Sequence, residues 1–197
     1  SLLFNAYQKI NDIDSLARLL PELRQHKVIT HHEIQEIEIK LTLEKLSSSE
    51  SLSSLQSFWQ SLSNKHRSHP KILHDYIHLL IKNRDHSQAQ SMIEKTLSKK
   101  WIPSLLSLYT LIQTDNHAQL LSTAEKWLKK HPTDNMLFLA LAKLALNASF
   151  YQKATDYSQQ LLQSEASKKA WLLLAEINEN QNKTRQALEY YKKATEH

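Results

Sequence analysis

Two histidines, His74 and His78, stand four residues apart in the segment KILHDYIHLL. On a helix that spacing puts both imidazoles on one face, where they could reach a single metal ion or a haem iron. No carboxylate stands at a third ligand spacing and the HExxH pattern is absent, so no recognisable zinc site is spelled out. The plainer alternative is that they are two of eleven histidines, on a groove wall that meets a partner or water. His31-His32-Glu33 reads as an exposed, capped turn that opens a helix. The many serines lack a paired His and Asp in a glycine-containing turn, which argues against a serine nucleophile.

Composition narrows the chemistry further. The 197 residues include no glycine. A phosphate-cradling loop, a dinucleotide fingerprint and a nucleophile elbow all need glycine where the backbone turns with positive φ or approaches a ligand closely. Cysteine is absent too, which removes disulfides, thiolate zinc sites and thiol nucleophiles and leaves the redox compartment open. The formal charge of +5 comes from 25 basic and 20 acidic side chains mixed along the chain, so no dedicated nucleic-acid surface is expected. No apolar run reaches the roughly 18 residues that cross a bilayer, and no signal peptide is visible. The chain opens without methionine on SLLFNAYQKI, and is expected to be part of a longer protein.

The elements that would position these residues are helices. Proline occurs only at 21, 70, 103 and 132, and apolar residues recur at three- and four-residue spacing. Asp85-His86-Ser87-Gln88, Asn116-His117-Ala118-Gln119 and Ser149-Phe150-Tyr151-Gln152 each place a capping oxygen three residues before a glutamine, which predicts capping boxes. Asn182 opens a similar segment without the glutamine. These starts fall at 85, 116, 149 and 182, in steps of 31, 33 and 33. Such an interval predicts a helical solenoid.

Register agrees with the interval. Phe138, Leu141, Ala142 and Ala154 map onto Trp171, Leu174, Ala175 and Ala187, each 33 residues later. The order of a large residue, then Leu and a small residue, then Ala and an aromatic on the second helix resembles the tetratricopeptide (TPR) repeat. In the last unit the family positions fall on Trp171, Leu174, Ala175, Asn178, Ala187, Tyr191 and Ala194, with Asn178 in place of the usual tyrosine. The alanines predict antiparallel helices at about 8–10 Å. Residues 70–100 match fairly, with Ala89 and Ile93 on the second helix. Residues 101–131 match poorly, because Leu120, Leu121 and Ala124 come in a different order. Pro103 near a helix start and Pro132 at the unit's end still mark that unit. The expected fold is all-α, a right-handed TPR-like α-solenoid of about ten to twelve helices.

The first 69 residues are less regular. Leu3, Ala6, Tyr7 and Ile10 predict a helix, Asp14 can cap a second, and Pro21 interrupts the series Leu16, Leu19, Leu20 and Leu23. Thr30 to Glu33 is another capping box, before an apolar face of Ile34, Ile37, Leu41 and Leu43. SSSESLSS, residues 47–54, reads as a linker or turn, too short to separate two cores. Residues 1–197 are therefore expected to form one domain, with irregular helices over 1–69 and about four helix pairs over 70–197. Leu55, Phe58, Trp59 and Leu62 predict the next amphipathic helix, with Phe58 and Trp59 in the core. Tyr190 and Tyr191, near the end of the array, are likewise expected to pack as core.

The order of features resembles something narrower. A proline-interrupted second helix (SLARLLPELRQH), a Ser-rich break leading to SFWQSLSNKHRSHP, and only then the repeats look like the C-terminal domain of HemY-type proteins. Those are bacterial inner-membrane TPR proteins associated with haem biosynthesis. The resemblance implies two membrane helices upstream, a soluble domain on the cytoplasmic side, and haem-pathway enzymes as partners. It implies no catalytic residues.

In TPR units the exposed inner positions lie one residue after the large residue, then four and seven further on. The resemblance thus assigns the partner groove to Leu172, Glu176 and Glu179, to Leu139, Lys143 and Leu146, and to His74, His78 and Ile81. Lys143 and Lys169 resemble the basic residues with which some TPR domains hold a terminal carboxylate, although the accompanying asparagines are missing. The expected function is a non-enzymatic scaffold that binds a protein or peptide through shape and charge, without a cofactor. The alternatives are a haem- or metal-binding module using His74 and His78, and a peptide-binding TPR protein of another pathway.

Overall fold

A computed structural model of the chain describes Ser15, Arg18, Leu19, Pro21 and residues 30–196. From His31 onward the described residues form eleven α-helices and no strand. The helix expected over residues 3–10, the cap at Asp14 and most of the proline-interrupted series lie outside the described residues. Leu19 and Pro21, two members of that series, are helical. The chain divides between Arg84 and Asp85 into two compact units.

In the first unit the helices are α1 (His31–Ser47), α2 (Leu52–Ser61), α3 (Asn64–Arg67) and α4 (Pro70–Lys82). The predicted box at Thr30 is present: Glu33 Oε2 accepts from the Thr30 amide at 2.7 Å, and Thr30 Oγ1 accepts from the Glu33 amide at 3.2 Å. The Thr30 hydrogen bonds hold the Glu33 carboxyl below its usual value. The serine run is mostly helix: α1 continues to Ser47, and Ser51 caps α2 through a reciprocal pair with Ser54. Only residues 48–51 turn, because serines that could form a loop are equally able to cap a helix. On α1 the buried face is Ile34, Ile37, Thr42 and Leu46, whereas Leu41 and Leu43 are half-buried. α1 must face both α2 and α4, and its buried stripe drifts accordingly. Pro70 occupies the first turn of α4, where its missing N–H costs nothing. Ile72, Leu73, Tyr76, Ile77 and Leu80 then form the buried stripe. Trp59 of α2 stacks on Tyr76 with centroids 3.9 Å apart, so Trp59 is core as expected.

In the second unit α5 (His86–Lys99), α6 (Ser104–Tyr109), α7 (His117–Trp127), α8 (Asn135–Asn147), α9 (Tyr151–Gln159), α10 (Ser167–Asn180) and α11 (Thr184–Glu196) pack in sequence. α5 lies on α6; α6 and α7 lie on α8; α8 pairs with α9, and α10 with α11. Ala89, Ile93, Leu120, Leu121 and Ala124 are all buried, so the irregular unit over 101–131 uses its apolar residues as its neighbours do. Ala142, Ala154, Ala175 and Ala187 are buried at the 33-residue register. Asn178 does not substitute for a packing tyrosine; its side-chain amide donates to the Leu174 carbonyl of its own helix at 2.7 Å.

Of the four caps predicted in this unit, two form and two do not. Asp85 accepts from the Gln88 amide at 3.2 Å and Asn116 from the Gln119 amide at 3.1 Å. Ser149 and Asn182 instead close the preceding helices, with φ of 60° at each. The Ser149 amide donates to Leu146 O and the Phe150 amide to Ala145 O. The Asn182 amide donates to Glu179 O and the Lys183 amide to Asn178 O. Both are the left-handed helix ending usually served by glycine, which this chain lacks. A residue in that conformation cannot also take the extended backbone of an N-cap.

Candidate partner-binding cleft

The second unit carries an open, largely apolar cleft of about 250 Å³ between α6 and α8. Leu111, Met136, Leu139 and Ala140 line it, with Lys143 at one side and Ser107 and Thr110 on its polar edge. The local fold explains the placement. α8 starts where Asp134 Oδ1 accepts from the amides of Met136 and Leu137, at 2.8 and 3.1 Å. Met136, Leu139, Ala140 and Lys143 then follow at three- and four-residue spacing, so they share one face. Leu111 lies just past the end of α6.

The edge hydroxyls are already satisfied. Ser107 Oγ donates to Ser104 O and Thr110 Oγ1 to Ser107 O, both at 2.8 Å. No carboxylate of the described residues pairs with Lys143. Leu111 is 47% and Met136 37% exposed, a cost in water that a partner's apolar side chains would relieve. Such a surface can hold an amphipathic segment by burial and attract a carboxylate to Lys143.

Several predicted groove residues lie elsewhere. Leu146 is only 7% exposed and belongs to the core, not to a groove. α8 is apolar on nearly every side and is packed by α6, α7, α9 and α10, so a position that the repeat pattern makes outward is covered. On α10, Leu172, Glu176 and Glu179 are exposed, with Lys169 also exposed near its start. Glu179 is engaged, accepting from the Tyr191 hydroxyl at 2.8 Å; that bond to a carboxylate pushes the phenol's pKa up. In the first unit, His74 and Ile81 are half-buried and His78 is exposed on α4. His74 Nδ1 lies 3.1 Å from Asp75 Oδ1. Among the described residues no group of three or more His, Asp or Glu gathers as a metal site. His31 and His32 are exposed, as expected of a capped turn.

Met136 and Leu111 were not among the predicted positions. Met136 could have been found three residues before Leu139 on the same helix face; Leu111 has no such signal, because it lies in a loop. The first unit has a larger cleft, about 340 Å³, between α1 and the start of α4. Its lining is charged, with Lys40, Lys71, His32 and His69 around Glu36. Burial, then the charges of His66 and Lys71, lower the His69 pKa. About half of that lining is polar, whereas the cleft on α8 is largely apolar. Among the described residues no helix is long and apolar enough to cross a membrane.

No protein-family model and no curated protein matches the chain. Among solved structures, one described as "MamA MSR-1 C2" is similar, with a TM-score of 0.50 at 13% sequence identity. The match covers 83% of this chain and 96% of that one. At that identity the likeness speaks for the fold alone, and the fold is a TPR-type all-α solenoid.

Proposed function

We propose that the chain is a non-catalytic protein-interaction scaffold whose α6–α8 cleft receives an apolar helix or extended peptide. One observation carries this reading: exposed Leu111 and Met136, with Leu139, surround a cleft beside Lys143, which pairs with no carboxylate of the described residues. Binding there would proceed by apolar burial, with Lys143 orienting the segment through an acidic group. The test is capture of bound protein from native membranes by the parent chain and by Met136→Ser, Leu139→Ser and Lys143→Ala variants. Reduced capture at unchanged melting temperature is expected; undiminished capture by all three would defeat the reading.

The finer assignment rests on the order of features along the chain. The proline-interrupted stretch, the Ser-rich break and the repeats that follow support a HemY-type protein of the bacterial inner membrane. On that reading this domain lies on the cytoplasmic side and its partners are haem-pathway enzymes. Two membrane helices encoded upstream of Ser1, and haem-pathway enzymes among the captured proteins, are the expected results. Capture of one unrelated protein alone would instead make this a TPR protein of another pathway.

A second reading is favoured by His74 and His78, which both reach solvent one turn apart on α4. It makes the first unit a haem- or metal-binding module. Titration with haemin, followed by its absorption band, tests it; a His74→Ala/His78→Ala variant that binds equally well rules the pair out.

A further inference from the structure

In the first unit the fold gathers charges that it does not pair. His32, Glu36 and Lys40 follow at four-residue spacing, so they share one face of α1. That face borders the cleft of about 340 Å³, and the start of α4 supplies His69 and Lys71 to the same cleft. Neighbouring carboxylates are occupied or lie outside it. Glu33 is held by Thr30, Glu38 lies 3.8 Å from His66 Nε2, and Asp75 3.1 Å from His74 Nδ1. Glu44, a turn beyond Lys40, does not line the cleft. Lys40 and Lys71 pair with no carboxylate of the described residues, and Glu36 pairs with no cation among them.

His69 adds a further polar group. Pro70 follows it and keeps its backbone extended, with φ of −70° and ψ of 125°, and its side chain makes no cap. Nδ1 is buried with no hydrogen-bond partner, so the half-buried ring meets the cleft on its Nε2 edge. Burial, then the charges of His66 and Lys71, disfavour the imidazolium. A buried lone pair left alone costs less than a buried N–H left alone, so the neutral ring carries its proton on Nε2, as a donor.

Charge and donor number say what fits. Lys40, Lys71 and His69 offer donors from three side chains, two of them cationic. A phosphate monoester brings three terminal oxygens and a charge of about −1.5 to −2 at pH 7, where a carboxylate brings two oxygens and one charge. Glu36 would repel a bare anion but can hold an ammonium group. It stands one turn before Lys40, about 6 Å along the axis, so a short chain spans the two. We infer that the cleft between α1 and the start of α4 binds a small phosphorylated amine, its phosphate on Lys40, Lys71 and His69 and its ammonium on Glu36. Two cations and one anion in the site meet their complement in the ligand. The site does not depend on the α6–α8 cleft.

Phosphoethanolamine, inorganic phosphate and ethanolamine, titrated into the whole chain and followed by amide shifts, test this. Phosphoethanolamine should bind at least tenfold tighter than either fragment, with shifts at residues 32–40 and 69–71. Glycerophosphoethanolamine, a diester like a lipid headgroup, has one free oxygen fewer and should bind at least tenfold more weakly. Lys40→Ala and Lys71→Ala should each weaken phosphoethanolamine at least tenfold, and Glu36→Gln should abolish its advantage over phosphate. These three side chains are exposed, so the variants should keep the parent's melting temperature. In the parent, titration of the His69 ring, read from its Cε1 proton, should move to higher pH when the site is filled, because phosphate opposes the charges that depress it. No binding at millimolar concentration, equal affinity for phosphoethanolamine and phosphate, or equal affinity for the diester would overturn the inference. So would an unmoved His69 titration, or shifts confined to Leu139 and Lys143.

Discussion

The Tyr157 hydroxyl donates to Glu125 Oε1 at 2.8 Å, joining α9 to α7 across 32 residues of sequence. Lys153, one turn before Tyr157, donates to the same oxygen at 2.7 Å. Burial acts to raise the Glu125 pKa, but these two hydrogen bonds outweigh it and the group lies below its usual value of 4.5. Burial, and then the same carboxylate, push the Tyr157 phenol well above 10.

This joint should titrate at both ends of the pH scale. Glu125 is depressed in the folded state, so its contribution is present above about pH 4.5 and is lost as pH falls through the folded value. Tyr157 is raised, so its contribution is complete below about pH 10 and declines progressively above it. Tyr157→Phe should cost about 1–2 kcal/mol at neutral pH. It should also flatten the alkaline limb of stability measured by urea unfolding. An unchanged alkaline limb would place that loss elsewhere, Tyr109 being the next group to examine, since its phenol is also raised by burial and by Glu94.

Arg84, Ser149 and Asn182 hold left-handed backbone with φ of 63°, 60° and 60°. Asn tolerates this region; Arg and Ser pay a Cβ clash of about 1–2 kcal/mol that glycine avoids, less glycine's larger entropy on unfolding. Arg84→Gly and Ser149→Gly should therefore each stabilise by about 0.5–1 kcal/mol, while Asn182→Gly should be near neutral. Denaturation midpoints that rank the three otherwise would show that side-chain contacts, not backbone strain, govern these turns.

Trp101 Nε1 donates to Asp134 Oδ2 at 2.7 Å, and its ring stacks on His131 with centroids 3.7 Å apart. Asp134 meanwhile caps α8 with its other oxygen. Trp101→Phe should lose the indole hydrogen bond but keep most of the stacking, costing about 1–2 kcal/mol. Asp134→Ala should cost about 1 kcal/mol more, because the cap is lost too. Equal losses, read from chemical unfolding, would mean that Asp134 matters only as the indole's partner.

Ala142 and Ala175 are buried at equivalent points of successive hairpins. Leucine at either should overpack the α8–α9 or α10–α11 contact and cost about 1–3 kcal/mol. Exposed Ala118 on α7 provides the control, with a change below about 0.5 kcal/mol expected from melting curves. A tolerated Ala175→Leu would refute close approach in the last hairpin.

Much of this was legible in the order of residues, because it depends on neighbours a few positions apart. The helices, their alanine-lined contacts, the caps at Thr30, Asp85 and Asn116 and the interval of about 33 residues all follow from spacing of that kind. The solenoid class comes with them. Ser149 and Asn182 look like N-caps in the sequence because a capping oxygen and a left-handed helix ending are alike in a chain with no glycine to mark the difference. Tertiary packing decided the rest. α8 is apolar on almost all sides, so its pattern could not say that Leu146 would be covered while Met136 stayed open. The joints Tyr157–Glu125 and Trp101–Asp134 span 32 and 33 residues, and only the stacking of one hairpin on the next brings such partners within reach.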